Sequence, residues 1–460
     1  MKLPPTDFEV MMHELNERFA TGATRRLRWR RQQLDGIARL FEENEEQIIE
    51  AMKRDLGKPD LETYVGEIAY IKAEIRHARA RFRHWMRPRR VATPLIGQPG
   101  VSRVVPEPVG VVLVIGPWNY PVQLLFAPLI AVVAAGNCAV LKPSEHAPAS
   151  SALIARLVPG YLDERAIKVV EGGVPEASEL LKLPFDHIFY TGGAEVARIV
   201  MRAAAEHLTP VTLELGGKSP AVIDRGADLK SAARRLAWGK FINAGQTCIA
   251  PDYVLVTPDQ RDALVEEIRG QLRAMYGDDA IASGDYARII NAHHYERLRG
   301  LLSDGRTVIG GRSDAQRMMI EPTVLVDVTP DDPIMREEIF GPILPVLTVG
   351  DLDDALEFIG ARDKPLAAYL FTRSKSSERK FVEAVSSGSI CINDVIMFYF
   401  VPDLPFGGIG MSGIGKYHGK YGFDRFSNLK AVMRRGRWPE ISVRFPPYSK
   451  LKMKLIKLLS

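Results

Sequence analysis

Three side chains in this 460-residue sequence are of types suited to acyl-transfer chemistry. Cys248 stands in NAGQTCIAP, residues 243–251, a turn of small and polar residues that follows an amphipathic helical stretch. A nucleophilic thiol needs thiolate character, which oriented N–H groups, a helix end or a base supply. The nearby Gly245 lets the backbone approach a substrate. The same segment also accommodates a half-buried structural thiol, so alone it leaves both readings open. Glu214 ends the apolar stretch of VTLELGGKSP, residues 211–220. A carboxyl there is either desolvated, and so a base near neutral pH, or reaches solvent at a strand end. Asn119, in IGPWNYP, offers an amide to a developing oxyanion, or is a turn former before Tyr-Pro. Glu337 and Glu338 precede a Gly-Pro turn in REEIFGPILPV and are suited to ribose hydroxyls or to solvent.

Taken together, a thiolate, an amide donor, a carboxylate base and a nucleotide-binding sheet fit oxidation of an aldehyde through a thioester. No competing set is present: the chain has no GxSxG, no GxxxxGK[ST] and no HExxH. The other two cysteines, Cys138 and Cys391, sit in strand-like surroundings and read as packing. Three dispersed cysteines without a CxxC pair exclude a zinc ribbon or a disulfide framework and fit a reducing compartment. GIGMSG, Gly408–Gly413, matches GxGxxG but follows no core strand and opens no helix, so it is discarded as a dinucleotide fingerprint.

These groups need a scaffold, and the sequence supplies a rhythm for one. Residues 6–85 read as helices rich in Arg and Glu, with Leu27, Leu34, Ile37, Leu40 and Phe41 near helical spacing. The cluster Arg25, Arg26, Arg28, Arg30 and Arg31 reads as a solvated helix face balanced by the acids at 42–46. From Val109 strands alternate with helices: VGVVLVI, a helix stopped by Gly136, CAVLK, PASSALIARLV, AIKVV, EASELLKL, HIFYT, AEVARIVMRAAAEHL and VTLEL. Continuous apolar strands between helices mean a parallel sheet covered on both faces. Ligands bind beyond the carboxyl ends of such strands, which places a cofactor at IGPWNYP, LKPSE or YTGGAEVA. The last of these opens a helix whose free N–H groups suit phosphate. A second α/β run follows, through PAVID, YVLVTP, the helix Pro258–Tyr276, LAAYLFTR and SICIND. VSRVVPEPVG, residues 101–110, reads as an extended arm, and Val401–Gly422 is too glycine-rich for a regular element.

Bulk properties narrow the field further. Such a length implies two or more domains, and 46% hydrophobic with 25% charged residues is ordinary for a globular protein. The N-terminus lacks the apolar core of a secretion signal, and the run Leu124–Leu141 is broken by Gly136 and Asn137 before it could span a bilayer. Of the net charge of +5, the tail from Ala431 carries +7 through eight basic residues against Glu440, leaving −2 on the body. A nucleic-acid enzyme would spread its basic surface over the body. Lys450, Lys454 and Lys457, with Leu451, Leu455 and Leu458, repeat at helical spacing. That basic amphipathic pattern suits weak contact with an anionic membrane, or a terminus packed on the body.

PWNYP, LKPSE, the TGG turn, LELGGKSP, GQTC and EEIFGP, in this order, resemble the aldehyde dehydrogenase superfamily over nearly the whole chain. NDVIM, PFGGIGMSGIGKYHGKYGFDRFS and RFPPYS resemble its class 3 branch, which includes fatty and aromatic aldehyde dehydrogenases. The resemblance implies the α/β aldehyde dehydrogenase fold: a Rossmann-like cofactor domain (1–85 and 109–214), a catalytic domain (215–395), an oligomerisation arm (86–108 and 396–435) and the basic tail (436–460). It implies Cys248 as nucleophile, Glu214 as general base and Asn119 with the Cys248 backbone N–H as oxyanion hole. Lys142 and Glu145 would meet the adenine ribose, Glu338 the nicotinamide ribose, and Gly192, Gly193 and Trp118 the rest of the cofactor. No metal is implied. NAD is the expected cofactor, with NADP also accepted; a small-molecule aldehyde, not nucleic acid, is the expected partner. A homodimer in the cytoplasm, touching a membrane only at its periphery, is the expected setting. Two departures stand out: Ala197 where the family's fingerprint ends in glycine, which weakens the pyrophosphate geometry, and Phe398 where the branch often has histidine. NDVIMFYF is thus more apolar than usual, which favours hydrophobic aldehydes. The alternatives are an acyl-CoA or acyl-phosphate reductase on the same fold, for which Glu214 has no use, and a non-catalytic membrane-associated scaffold.

Overall fold

A computed structural model describes residues 7–438, 443 and 445–459, without the side chains of residues 458 and 459. The N-terminal residues 1–6, Glu440 and Arg444 of the basic tail, Ser460 and the side chain of Leu458 therefore lie outside the described residues.

Among the described residues, eighteen strands form three main sheets and one small hairpin. The arm opens with β1 (Arg89–Val91) and β2 (Gly100–Pro108). There follow β3 (Val111–Ile115), β4 (Cys138–Lys142), β5 (Ile167–Val169), β6 (His187–Thr191) and β7 (Val211–Glu214). The second half supplies β8 (Pro220–Ile223), β9 (Tyr253–Val256), β10 (Arg306–Ile309), β11 (Ser313–Asp314), β12 (Met319–Ile320), β13 (Thr323–Val326), β14 (Ile343–Thr348), β15 (Ala367–Phe371) and β16 (Ser389–Ile392). The chain ends with β17 (Gly413–Ile414) and β18 (Ser427–Arg435).

The first sheet has the order β17-β7-β6-β3-β4-β5, the second β10-β13-β14-β9-β8-β15-β16. Each is parallel except for one antiparallel edge strand, β17 and β10 respectively. Their strands read as unbroken apolar runs because both faces are covered; β3 and β4 expose almost nothing. Helix Gln123–Ala135 shows the same logic, apolar on every side and buried at every position. It stops where expected: Gly136 adopts φ 93° and its N–H returns to the carbonyls of Val132 and Val133. The arm's β2 pairs along its length with β18 and also with β1, outside both larger sheets.

Two readings from sequence are corrected. Arg30 is not on a solvated face: it is 5% exposed and its Nη1 donates to the Ala134 carbonyl at 2.9 Å. A cation at that helix end satisfies a free carbonyl and complements the dipole. Its four neighbours Arg25, Arg26, Arg28 and Arg31 are exposed as expected. The span Val401–Gly422 does contain regular elements, namely β17 and the start of the helix Gly419–Arg425. Tertiary pairing with Leu213 and Glu214 makes a strand where local propensity opposes one.

Candidate active site

Three loops that are distant in sequence meet beyond the carboxyl ends of β3, β6 and β7. They border a cleft of about 390 Å³ lined by Trp118, Asn119, Gly192, Gly193, Glu214, Cys248 and Glu338 among others. Seven of the nine expected site residues are thus brought together. Lys142 and Glu145 do not line this cleft. They stand at the end of neighbouring β4, where Lys142 Nζ donates to the Gly172 carbonyl at 2.6 Å and lies 3.7 Å from Glu145.

The thiol loop is unusually constrained. Helix Leu229–Phe241 ends, and Asn243, Ala244 and Gly245 follow with φ of 52°, 51° and 75°. Asn tolerates this left-handed region better than most residues, Ala does not, and the surroundings must hold it there. Gln246 does much of that: its Nε2 donates to Asn243 O at 2.9 Å and Arg288 O at 3.0 Å, and its Oε1 accepts from Ile290 N at 3.0 Å. The loop leaves Cys248 half-buried with its own and Ile249's backbone N–H groups facing the sulfur. Burial, then the charges of Glu338 and Glu214, push the thiol up, and the two N–H groups oppose them. Asn119 is 3% exposed and its Nδ2 donates to Gln246 O at 2.9 Å. That contact uses one of the amide's two protons.

Glu214 is 3% exposed, and neither carboxylate oxygen has a hydrogen-bond partner. Desolvation raises its pKa well above the ordinary carboxylate value, with Lys416 and Arg425 pulling weakly the other way. The two glycines after it are structural: a methyl at Gly216 would overlap the Glu338 carboxyl. Burial and the charge of Asp252 push Glu338 up to about 8, against the Gly217 N–H, Lys218 and Lys240.

A dinucleotide fits this cleft on the structure's own terms. Thr191 Oγ1 is buried at its wall without a partner. Gly193 precedes the helix Ala194–Glu206 with open space where a side chain would be, so the helix N-terminus is accessible to phosphate. Ala197 is 1% exposed, belongs to the core and does not line the cleft. Phe398 does not line the cleft either; it packs on Tyr369 and Phe406. Glycines 408–413 fold behind β7, with Gly413 opposite Glu214. Among the described residues no group of His, Cys, Asp and Glu is arranged to hold a metal ion.

Sequence reasoning missed His294, Arg297 and Phe340, which line the cleft, and the inner role of Gln246. His294 and Phe340 flank the Trp118 ring at 5.1 and 5.4 Å. Gln246 and Phe340 had a local signal, as parts of GQTC and EEIFGP, while His294 and Arg297 had none.

Comparison with known proteins gives concordant findings. A model described as the aldehyde dehydrogenase family matches residues 4–432. The chain is 46% identical over 454 residues to aldehyde dehydrogenase family 3 member H1 of Arabidopsis thaliana, covering 98% of this chain and 94% of that one. It is 46% identical to the rat (Rattus norvegicus) dimeric NADP-preferring aldehyde dehydrogenase, covering 94% and 96%. The substrate-bound structure of Staphylococcus aureus AldH superposes with a TM-score of 0.96 at 44% identity, covering 99% of each chain.

Proposed function

The chain belongs to the aldehyde dehydrogenase family, and from that premise we propose that it oxidises hydrophobic aldehydes, aliphatic of medium or long chain or aromatic, to carboxylic acids through a thioester on Cys248. It is an aldehyde-oxidising oxidoreductase of the family 3 branch that works with NAD or NADP. One observation carries the finer reading: a thiol, an amide donor and a desolvated carboxyl share one cleft.

The chain's own residues have separate tasks. The Cys248 thiol gives its proton to bulk water and, as thiolate, adds to the aldehyde carbon, forming a C–S bond and an alkoxide. The free proton of the Asn119 amide and the Cys248 backbone N–H meet that alkoxide as charge develops. The nicotinamide, when bound, supplies the two-electron acceptor that turns the thiohemiacetal into a thioester. Glu214 then takes a proton from water, whose hydroxide attacks the thioester carbon and expels the thiolate. A carboxyl held free of partners in a dry site has the basicity this step needs. Trp118, Gly192, Gly193 and Glu338 would hold the cofactor in the cleft, and Lys142 and Glu145 would hold its adenine ribose. Glu145 would repel a 2′-phosphate, so NAD is preferred over NADP. Leu124, Leu215 and Phe340 give the cleft its apolar lining. Buried Tyr120, Tyr369, Tyr399 and Tyr417, all within reach of a Cys248 thiolate's charge, stay neutral. Both features favour apolar substrates.

The wider setting is part of the same proposal. The division at residues 85, 109, 214 and 395 gives a cofactor domain, a catalytic domain and an arm. The arm, with the segment after residue 396, makes a homodimer in the cytoplasm; its exposed Val91, Val101, Leu429 and Met433 suit that role. The tail forms a helix, Lys450–Leu459, whose Leu451 and Leu455 are exposed one turn apart. It brings the enzyme weakly to anionic membranes. No helix among the described residues is long and apolar enough to cross a membrane.

The test is a substrate panel from acetaldehyde through long alkanals to cinnamyl-type aldehydes, with each dinucleotide, alongside Cys248→Ser. Turnover rising with apolar size, an acyl adduct on Cys248 in quenched enzyme and an inert serine variant are expected. A serine variant at wild-type speed would end the thioester reading.

A further inference from the structure

Two fully buried charges lie under the site without any part in the chemistry above. Lys58 and Glu67 are both 0% exposed, and Lys58 Nζ meets Glu67 Oε1 at 3.0 Å. Such a pair costs desolvation on both sides, and apolar residues of the same volume would serve stability as well. Its other contacts all converge on one turn. Lys58 Nζ donates to the Asn119 carbonyl at 3.2 Å and stands 3.9 Å from the Tyr120 ring centroid. Glu67 Oε2 accepts from the Gln123 N–H at 2.7 Å, at the start of helix Gln123–Ala135. The pair therefore grips the IGPWNYP turn at Asn119 and the helix start that follows it at Gln123. Glu67 reaches it from a π-helical turn, Tyr64–Ala69, an irregularity that recurs at functional sites.

The thiol loop is tied to the same peptide. Asn243 Nδ2 donates to the Asn119 carbonyl at 3.0 Å and to Gln246 O at 3.1 Å. The Asn243 N–H in turn donates to Glu62, on the short helix Asp60–Thr63. Tyr120 Oη and Thr247 Oγ1 are 3.0 Å apart. Two donors on its carbonyl fix the Asn119 peptide plane, and its side-chain amide is held against Gln246 O in the cleft that Cys248 also lines.

We infer that the buried Lys58–Glu67 pair is the positioning device of the Asn119 amide, acting through the Asn119 carbonyl and not on substrate or cofactor. This rests on the reading of Asn119 as oxyanion donor. Positioning of this kind acts on the rate, because an amide displaced by a fraction of an ångström still lets substrate bind but no longer meets the alkoxide.

The experiment is a cycle of four full-length enzymes: wild type, Asn119→Ala, Lys58→Met and the double variant, each assayed for kcat, aldehyde KM and dinucleotide affinity. Lys58→Met is expected to lower kcat about tenfold or more while KM and dinucleotide affinity stay within about twofold. In the Asn119→Ala background the same change is expected to cost less than about twofold, since there is no amide left to aim. An equal cost in both backgrounds, or a loss of dinucleotide affinity matching the loss of kcat, would overturn the inference and leave the pair a plain core element. Wild-type speed in Asn119→Ala would instead remove the oxyanion reading on which it rests. Should Lys58→Met fail to fold, Lys58→Met with Glu67→Gln, which leaves no uncompensated ion, runs the same cycle.

Discussion

The two walls of the cleft are built on opposite terms. On the amide side, the Asn119, Asn243 and Gln246 side chains each donate to a backbone carbonyl of another of the three, and Thr247 Oγ1 is paired with Tyr120 Oη. On the carboxyl side, Glu214 is equally buried and has no hydrogen bond at all. The difference fits the tasks proposed for the two groups. Dipoles that stabilise a developing charge must be fixed in advance, or the reaction has to reorganise them. A base must instead want a proton, and satisfied carboxylates do not. The amide wall is rigid by construction, while the carboxyl wall is basic by deprivation.

The sharpest way to break this contrast is Glu214→Gln. It should cut steady-state turnover about 10³-fold, yet leave the first turnover's burst of reduced dinucleotide, with acyl-enzyme accumulating by mass spectrometry. Loss of the burst would move Glu214 from deacylation to acylation. Asn119→Ala should cost about 10²-fold, now in the burst itself, since the alkoxide forms before the thioester. Stopped-flow absorbance separates the two. Gln246→Ala tests the rigidity of the amide wall: three side-chain hydrogen bonds are lost, and stability should fall by about 2–3 kcal/mol in denaturant melts.

The smallest effect concerns the carboxyl wall alone. Burial raises the folded-state pKa of Glu214 above its ordinary value of 4.5. The folded protein therefore holds that proton more tightly than the unfolded chain. The stabilisation is whole below pH 4.5 and drains away as pH rises toward the raised value. Glu214→Gln, neutral throughout, should then gain on wild type by about 1–2 °C per pH unit over that window in thermal melts. Activity runs the opposite way: the wild-type rate should climb with pH as Glu214 loses its proton. Lys416→Met, which removes the first cation that favours the charged form, should shift that limb to higher pH.

Much of this was legible before any coordinates. The strand–helix alternation from Val109, the stop at Gly136 and the exceptional setting of Cys248 and Glu214 are local signals. Apolar periodicity and glycine punctuation reflect burial and backbone geometry residue by residue. What misled was also local. The arginines at 25–31 looked alike, but only Arg30 meets a helix end, and that end lies more than a hundred residues away. The span Val401–Gly422 looked too glycine-rich for any regular element, but pairing with Leu213 and Glu214 makes Gly413–Ile414 a strand.

The order of motifs along the chain determined which groups are available for chemistry: a thiol, an amide, a carboxyl and a phosphate-ready helix start. Only the folded chain decided how they are used. The Asn119 side chain is tied to the thiol loop at the Gln246 carbonyl, Lys58 reaches the Asn119 carbonyl, and Glu67 reaches the Gln123 N–H. Hydrogen bonds between residues so far apart leave no periodic trace in a sequence, because the two partners never share a face of one element. The loneliness of Glu214 is likewise invisible in one dimension, since a missing partner can be recognised only where all the neighbours are known.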